Sequence, residues 1–236
     1  MPRAFGYNAA AFTAGTEVPV NAATYNEPSV ASPLSVKSAS ANDAAAGTGV
    51  RTVKVTYYTL AADGSIAGPF TYTATLNGTT AVQIDAANAI RLIDKIEALT
   101  AGSGAVAAGA ISLYPSADGT GTAIVALAAG DRRSYIGHAY VPSGRRLFVD
   151  DVQVDSLEVA TVQTQFNLRS TAYPLANVAD KALTSTLAAQ GLAGTRSLGP
   201  GTPIAVVQGP ARVQLYATPG NTASASVRAE FGYHYA

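Results

Sequence analysis

The chain has no cysteine and no tryptophan, one methionine and two histidines. Without cysteine there is no disulfide, no thiolate nucleophile and no cysteine-bound metal, although this does not identify the compartment. The two histidines, His138 and His234, lie far apart in the sequence. A triad or metal site would need a third group that the pattern does not supply, so both are read as structural. Charge is scarce as well. Charged residues make up 13% of the chain, where an average soluble domain carries about 25%. The 15 basic residues balance the 15 acidic ones, so no long-range field draws the protein to nucleic acid or to an anionic membrane. No run approaches the ~18 apolar residues of a membrane span, and the opening residues Met1–Asn8 lack the apolar core of a secretory signal. The expectation is a protein made and kept soluble in the cytoplasm.

What is present is a series of short alternating strands closed by glycine turns. Arg51–Tyr57 leads through Asp63-Gly64 into Phe70–Leu76 and then Asn77-Gly78. Alternation sends Val53, Val55 and Tyr57 to one face and Thr52, Lys54 and Thr56 to the other. Asn-Gly and Asp-Gly tolerate the positive φ that tight hairpins require. Further strands are expected at Leu34–Ser38, at Ala110–Tyr114 and Ala123–Leu127 around Asp118-Gly119, and on both sides of Pro142-Ser143-Gly144. Thr164, Phe166 and Leu168 share a face with Ala160 and Val162, while Val227, Ala229, Phe231 and Tyr233 face inward and Arg228, Glu230 and His234 outward. Residues 85–99 fit both a helix and a strand, and a short helical turn at 85–89 followed by a strand is expected. Residues 175–192 are equally ambiguous and are read as an insertion between strands. The whole reads as an all-β chain, an antiparallel two-sheet sandwich over residues 33–236 preceded by an extended N-terminal arm at 1–32.

The arm is small and polar, with Pro2, Pro19 and Pro28 against any continuous ladder. Its aromatics Phe5, Tyr7, Phe12 and Tyr25 exceed what a linker needs, and suggest ordering on a neighbouring subunit. Arg132-Arg133 and Arg145-Arg146 flank one strand region and could fork onto a partner's carboxylates. These eight residues are the candidate partner contacts. Asp150, Asp151, Asp155 and Glu158 form the densest acidic patch, without the spacing or turn glycine of an EF-hand loop. It is read as a solvated face or as pairing with Arg145 and Arg146. Strict alternation would place Asp150 with Phe148, Val152 and Val154, so a bulge is expected to turn its carboxylate outward. Gly47-Thr48-Gly49 precedes a strand rather than a helix and is discounted as a phosphate cradle. Asn77-Gly78-Thr79 matches a glycosylation acceptor, but is better read as a hairpin turn.

The order Ala101-Gly102-Ser103-Gly104, then Gly109–Tyr114, then Ala139–Leu147, together with the turn Leu76–Thr80, resembles the layout of jelly-roll virion proteins of tailed bacteriophages. The likeness spans about residues 70–156 and leaves residues 1–32 and 170–200 uncovered. It implies a jelly-roll sandwich serving as a head decoration or cement protein, often trimeric, that binds other copies of itself and the major capsid protein on the outside of a capsid assembled in the host cytoplasm. It carries no catalytic residue, and no cofactor, metal, nucleic acid or membrane is expected. A receptor- or glycan-binding fibre module is the alternative, weakened by the lack of tryptophan. A hydrolase on such a scaffold would need clustered carboxylates or histidines.

Overall fold

The computed structural model describes residues 2–8, 15–22, 25–28, 32–87, 90–157, 163–173, 181–182, 187–190, 194–196, 203–218, 220 and 226–236. They group into two compact units, one of Met1–Ala22, Ala62–Ile66 and Ile136–Ala236, the other of Ala23–Ala61 and Ala67–Tyr135. In chain order the first unit opens with β1 (Arg3–Asn8) and β2 (Val18–Pro19). The second holds β3 (Leu34–Ser38), β4 (Val50–Leu60), β5 (Ile66–Thr75, its first residue counted with the first unit), β6 (Val82–Ile84), β7 (Ile90–Ala101), β8 (Ile111–Tyr114) and β9 (Val125–Leu127). The first unit resumes with β10 (His138–Val141), β11 (Arg146–Leu157), β12 (Gln163–Ala172), β13 (Lys181–Ala182), β14 (Leu187–Gln190), β15 (Gly194–Arg196), β16 (Ala205–Gln208), β17 (Ala211–Thr218) and β18 (Ser226–Tyr235). Every regular element among the described residues is a strand. In chain order the second unit is thus an insertion into the first, entered after residue 22.

The first unit is built from two antiparallel sheets. One runs β1-β18-β11-β15, with β16 also on β11. The other runs β10-β17-β12-β13, with β14 on β12 and β2 on β17. Alternation supplies each sheet with one apolar face. Val152, Val154, Val227, Ala229 and Phe231 from the first sheet share a single core with Phe166, Leu168, Val213, Leu215 and Ala217 from the second. The arrangement of this unit is thus sandwich-like. The inward and outward sets on β18 are as the alternation predicts, and so is the buried face of Thr164, Phe166 and Leu168. Ala160 and Val162 lie outside the described residues. Pro142-Ser143-Gly144 makes the expected turn, with Gly144 at a φ of 75°, and it carries the chain from β10 in one sheet to β11 in the other.

The first stretch of the expected arm is extended, but its ladder lies within the chain. β1 pairs along its length with β18, from Arg3 opposite Gly232 to Asn8 opposite Val227. A Cβ on Gly6 would lie 1.9 Å from the Val20 carbonyl oxygen, so the absence of a side chain is what lets β1 approach the chain just after β2.

The second unit has a four-stranded sheet, β6-β3-β8-β9, and a three-stranded sheet, β5-β4-β7. Val53, Val55 and Tyr57 are buried as the alternation predicts. Residues 90–101 form a strand, whereas Ala86 and Ala87 lie in a turn instead of the expected helical one. Asn88 and Ala89 lie outside the described residues, as does most of the ambiguous segment 175–192, whose described pieces Lys181–Ala182 and Leu187–Gln190 pair with β12. At the heart of this unit Asp43 is fully buried and accepts hydrogen bonds from Ser38 Oγ (2.6 Å), Val50 N (2.7 Å), Ala108 N (2.9 Å) and Gly109 N (2.9 Å). A Cβ on Gly49 would fall 2.1 Å from Asp43 Oδ1. That glycine serves close packing around a carboxylate, which accounts for the Gly47-Thr48-Gly49 pattern without a phosphate.

Candidate functional site

The side chains on the outer face of the sheet β1-β18-β11 bring aromatic, amide, acidic and basic groups together. Register builds it in rows. Arg3 and Asp151 flank Gly232, Phe5 and Gln153 flank Glu230, and Tyr7 and Asp155 flank Arg228. Each row is outward because its chain neighbours Ala4, Val152, Val154, Ala229 and Phe231 are taken by the core.

The bulge expected at Asp150 is present. The pairing of β11 with β18 slips between Val149 and Asp151, so Val149 and Val152 both face the core while Asp150 and Asp151 are both partly exposed. Phe148 does not share the buried face of Val152 and Val154, as strict alternation would have it. It is half-exposed and stacks on His234, with ring centroids 5.0 Å apart at 9°. Asp150 Oδ2 lies 2.8 Å from His234 Nδ1. Asp151 Oδ1 accepts from Gly232 N (2.8 Å), and its other oxygen meets Arg3 Nη2, while Arg3 Nη1 donates to Glu230 Oε1 (2.6 Å). Within the acidic patch Asp151 therefore pairs with Arg3 and Asp150 with His234, where a solvated face or pairing with Arg145 and Arg146 was expected. Glu158 lies outside the described residues.

Beside these ion pairs is a shallow cleft of ≈ 210 Å³ lined by Phe5, Gln153, Val154, Asp155, Arg228, Ala229 and Glu230. The Arg228 guanidinium lies over the Tyr7 ring, 5.4 Å from its centre, which fixes one wall. The lining offers an aromatic ring, an amide, two carboxylates and a guanidinium. That set suits a ligand with one apolar face and several hydroxyl or amide groups. Among the described residues, no three His, Asp or Glu side chains are grouped to hold a metal ion.

Of the sequence-predicted contacts, Phe5 and Tyr7 fall on this face, and Phe12 lies outside the described residues. Tyr25 belongs to the second unit, where its hydroxyl accepts a hydrogen bond from Ile93 N (3.1 Å). Arg132 and Arg133 are also in the second unit. The Arg132 carbonyl accepts from Ala98 N (2.7 Å), and the Arg133 guanidinium lies 5.2 Å from the centre of the Tyr135 ring. Arg145 and Arg146 are in the first unit, with Gly209 N donating to the Arg145 carbonyl (2.9 Å) and Arg146 Nε donating to Gln208 Oε1 (3.1 Å). Arg3, Gln153, Arg228 and Glu230 were not among the predicted contacts. The outward pattern of β18 signalled Arg228 and Glu230 as surface residues, but nothing local signalled that β1 and β11 lie on either side of them.

Compared with protein-family models, curated proteins and solved structures, the chain matches none.

Proposed function

We propose that the protein is a non-enzymatic virion component, a decoration or cement protein that sits on the outside of a tailed-phage head and stabilises it through contacts with further copies of itself and with the major capsid protein. The observation that carries this reading is the nesting of strand pairs in the first unit. The first strand pairs with the last (β1 with β18), the next along the chain with the one before last (β2 and β10 with β17), then β11 with β15 and β16, then β12 with β13 and β14. A long antiparallel ribbon folded over on itself produces this nesting, and the extra pairings β18 with β11 and β17 with β12 close it into two sheets. Jelly rolls wrap in this way, so the nesting supports a jelly-roll reading of the first unit, in whose sequence the second unit falls between β2 and β10. Jelly rolls recur in viral capsid proteins. The scarcity of charge supports the same reading, since a surface with few charges loses little solvation on packing against neighbours.

Electron microscopy of intact particles tests it. The expected result is density for both units at regular positions on the head exterior. Density only in tail or fibre, or none at all, overturns it.

A second reading, a receptor- or glycan-binding module, is favoured by the cleft beside Phe5, because jelly rolls also serve as lectins. A saturable glycan-array signal lost in Phe5→Ala would promote it over the first, and a blank array would remove it.

A further inference from the structure

The three-stranded sheet of the second unit has unequal edges. Along β7, Ala98 N donates to the Arg132 carbonyl (2.7 Å) and Ser134 N to the Ile96 carbonyl (2.9 Å), so that edge is covered. The opposite edge is β5, and among the described residues no strand pairs with its outer side. Proteins usually blunt such an edge with charge, proline or a bulge. Here Ile66–Thr75 contains no charged residue, and Pro69 blunts only its beginning. From Phe70 onward the run Phe-Thr-Tyr-Thr-Ala-Thr is rich in strand-forming side chains; Phe70 is 40% exposed, and Thr71, Thr73 and Thr75 are exposed.

We propose that the β5 edge is a self-association surface, on which a second copy of the chain adds its own β5 antiparallel about a twofold axis at Thr73. Leu76 N donates to the Arg51 carbonyl (2.9 Å), so alternation turns the main-chain groups of Tyr72 and Ala74 toward β4 and those of Thr71, Thr73 and Thr75 outward. In an antiparallel pair centred on Thr73, Thr71 of each copy faces Thr75 of the other and Thr73 faces itself. The outward N–H and C=O groups of all three threonines then bond across the seam. Threonine opposite threonine is a favourable cross-strand pair, and no like charges meet. The copy is favoured over a foreign strand because this register makes the edge complementary to itself and because a chain of zero formal net charge does not repel its twin. The contact is isologous, joins copies in pairs and does not depend on a virion location.

The test is molar mass against concentration for the full chain, with amide exchange at Thr71, Thr73 and Thr75 read alongside. Wild type is expected to move from monomer toward dimer as concentration rises, with those amides gaining protection. Thr73→Lys and Thr73→Asp each place like charges face to face and should associate about tenfold more weakly, whereas an equimolar mixture of the two should recover a heterodimer. A wild type that stays monomeric with unprotected amides overturns the proposal. So does association that Thr73→Lys leaves unchanged, which would place copies on another surface. Particle decoration retained by Thr73→Lys leaves the virion reading standing by itself.

Discussion

The two units handle charge in opposite ways. The second buries a carboxylate, Asp43, and makes it the meeting point of the end of β3, the start of β4 and the loop before β8. The first keeps its described carboxylates on the outside, where Arg3 links Asp151 to Glu230 and His234 meets Asp150, and the polar side chains it buries, Asn21, His138, Thr164, Thr171 and Gln214, are not carboxylates. The difference follows from what each must organise. Long strands stacked face to face are held by alternation alone. Long loops have no such pattern, and their main-chain N–H groups need an acceptor wherever they leave water. A buried carboxylate meets several such groups at once, so in the second unit loop conformation depends on one side chain, and in the first the charges are dispensable for the fold.

The largest expected effect is at that side chain. Asp43→Ala leaves the Ser38 hydroxyl and the three amide donors without their acceptor, and should destabilise the second unit by about 3–5 kcal/mol in chemical denaturation. Asp43→Asn keeps one acceptor oxygen but turns an NH₂ toward a main-chain donor, so it should fall between alanine and wild type. Amide exchange sharpens the comparison, because Ala108 and Gly109 should lose protection while β11 and β18 keep theirs. An Asp43→Asn protein as stable as wild type would show that the loops hold themselves.

This contrast also marks what could be read from the sequence. Faces were legible: the inward set of β18, the buried side of Phe166 and Leu168, and the bulge at Asp150 each follow from where alternation holds or breaks. Neighbours were not. Arg3 and Glu230 are separated by 227 positions, and alternation says which way a side chain points without saying which strand lies beside it. The insertion of one unit into the other was hidden for the same reason, since each half of the first unit reads as ordinary strands. Asp43 left no signal because its partners are mostly main-chain groups, which every sequence supplies. Phe5 and Tyr7 were legible as unusual for a linker, but their pairing with β18 was not, because β18 lies at the far end of the chain.

A second acid sharpens the comparison through pH. Asp94 on β7 sits where the pairing with β4 slips between Thr56 and Tyr57. Burial pushes its carboxyl up to about 7, with Lys95 pulling it down and Glu97 pushing it further up. At Glu97 burial also opposes ionisation, but Lys54 and Lys95 outweigh it and hold that carboxyl below its usual value. Because Asp94 is protonated in the folded chain and ionised in the unfolded one between about pH 4 and 7, folding takes up a proton there and stability falls as pH rises through that window. Asp94→Asn should remove this slope and gain on the order of 2–4 kcal/mol near pH 8. Denaturation midpoints of both proteins from pH 4 to 8 give the result, and parallel curves would show that Asp94 is solvated. Unlike Asp43, this acid is a burden that the second unit carries.

The smallest effect is expected on the outer face of the first unit. Arg3 joins two carboxylates, but all three side chains reach solvent, and Asp151 keeps its hydrogen bond from Gly232 N when Arg3 is removed. Exposed pairs of this kind are worth about 0–1 kcal/mol each, and salt screens them. Arg3→Ala should therefore cost about 1 kcal/mol at low salt and less than half of that at high salt, with faster amide exchange confined to β1. If it cost as much as Asp43→Ala, the ion pairs of β1 would hold the first unit together as firmly as the buried acid holds the second, and the contrast between a core fixed by alternation and loops fixed by one carboxylate would fail.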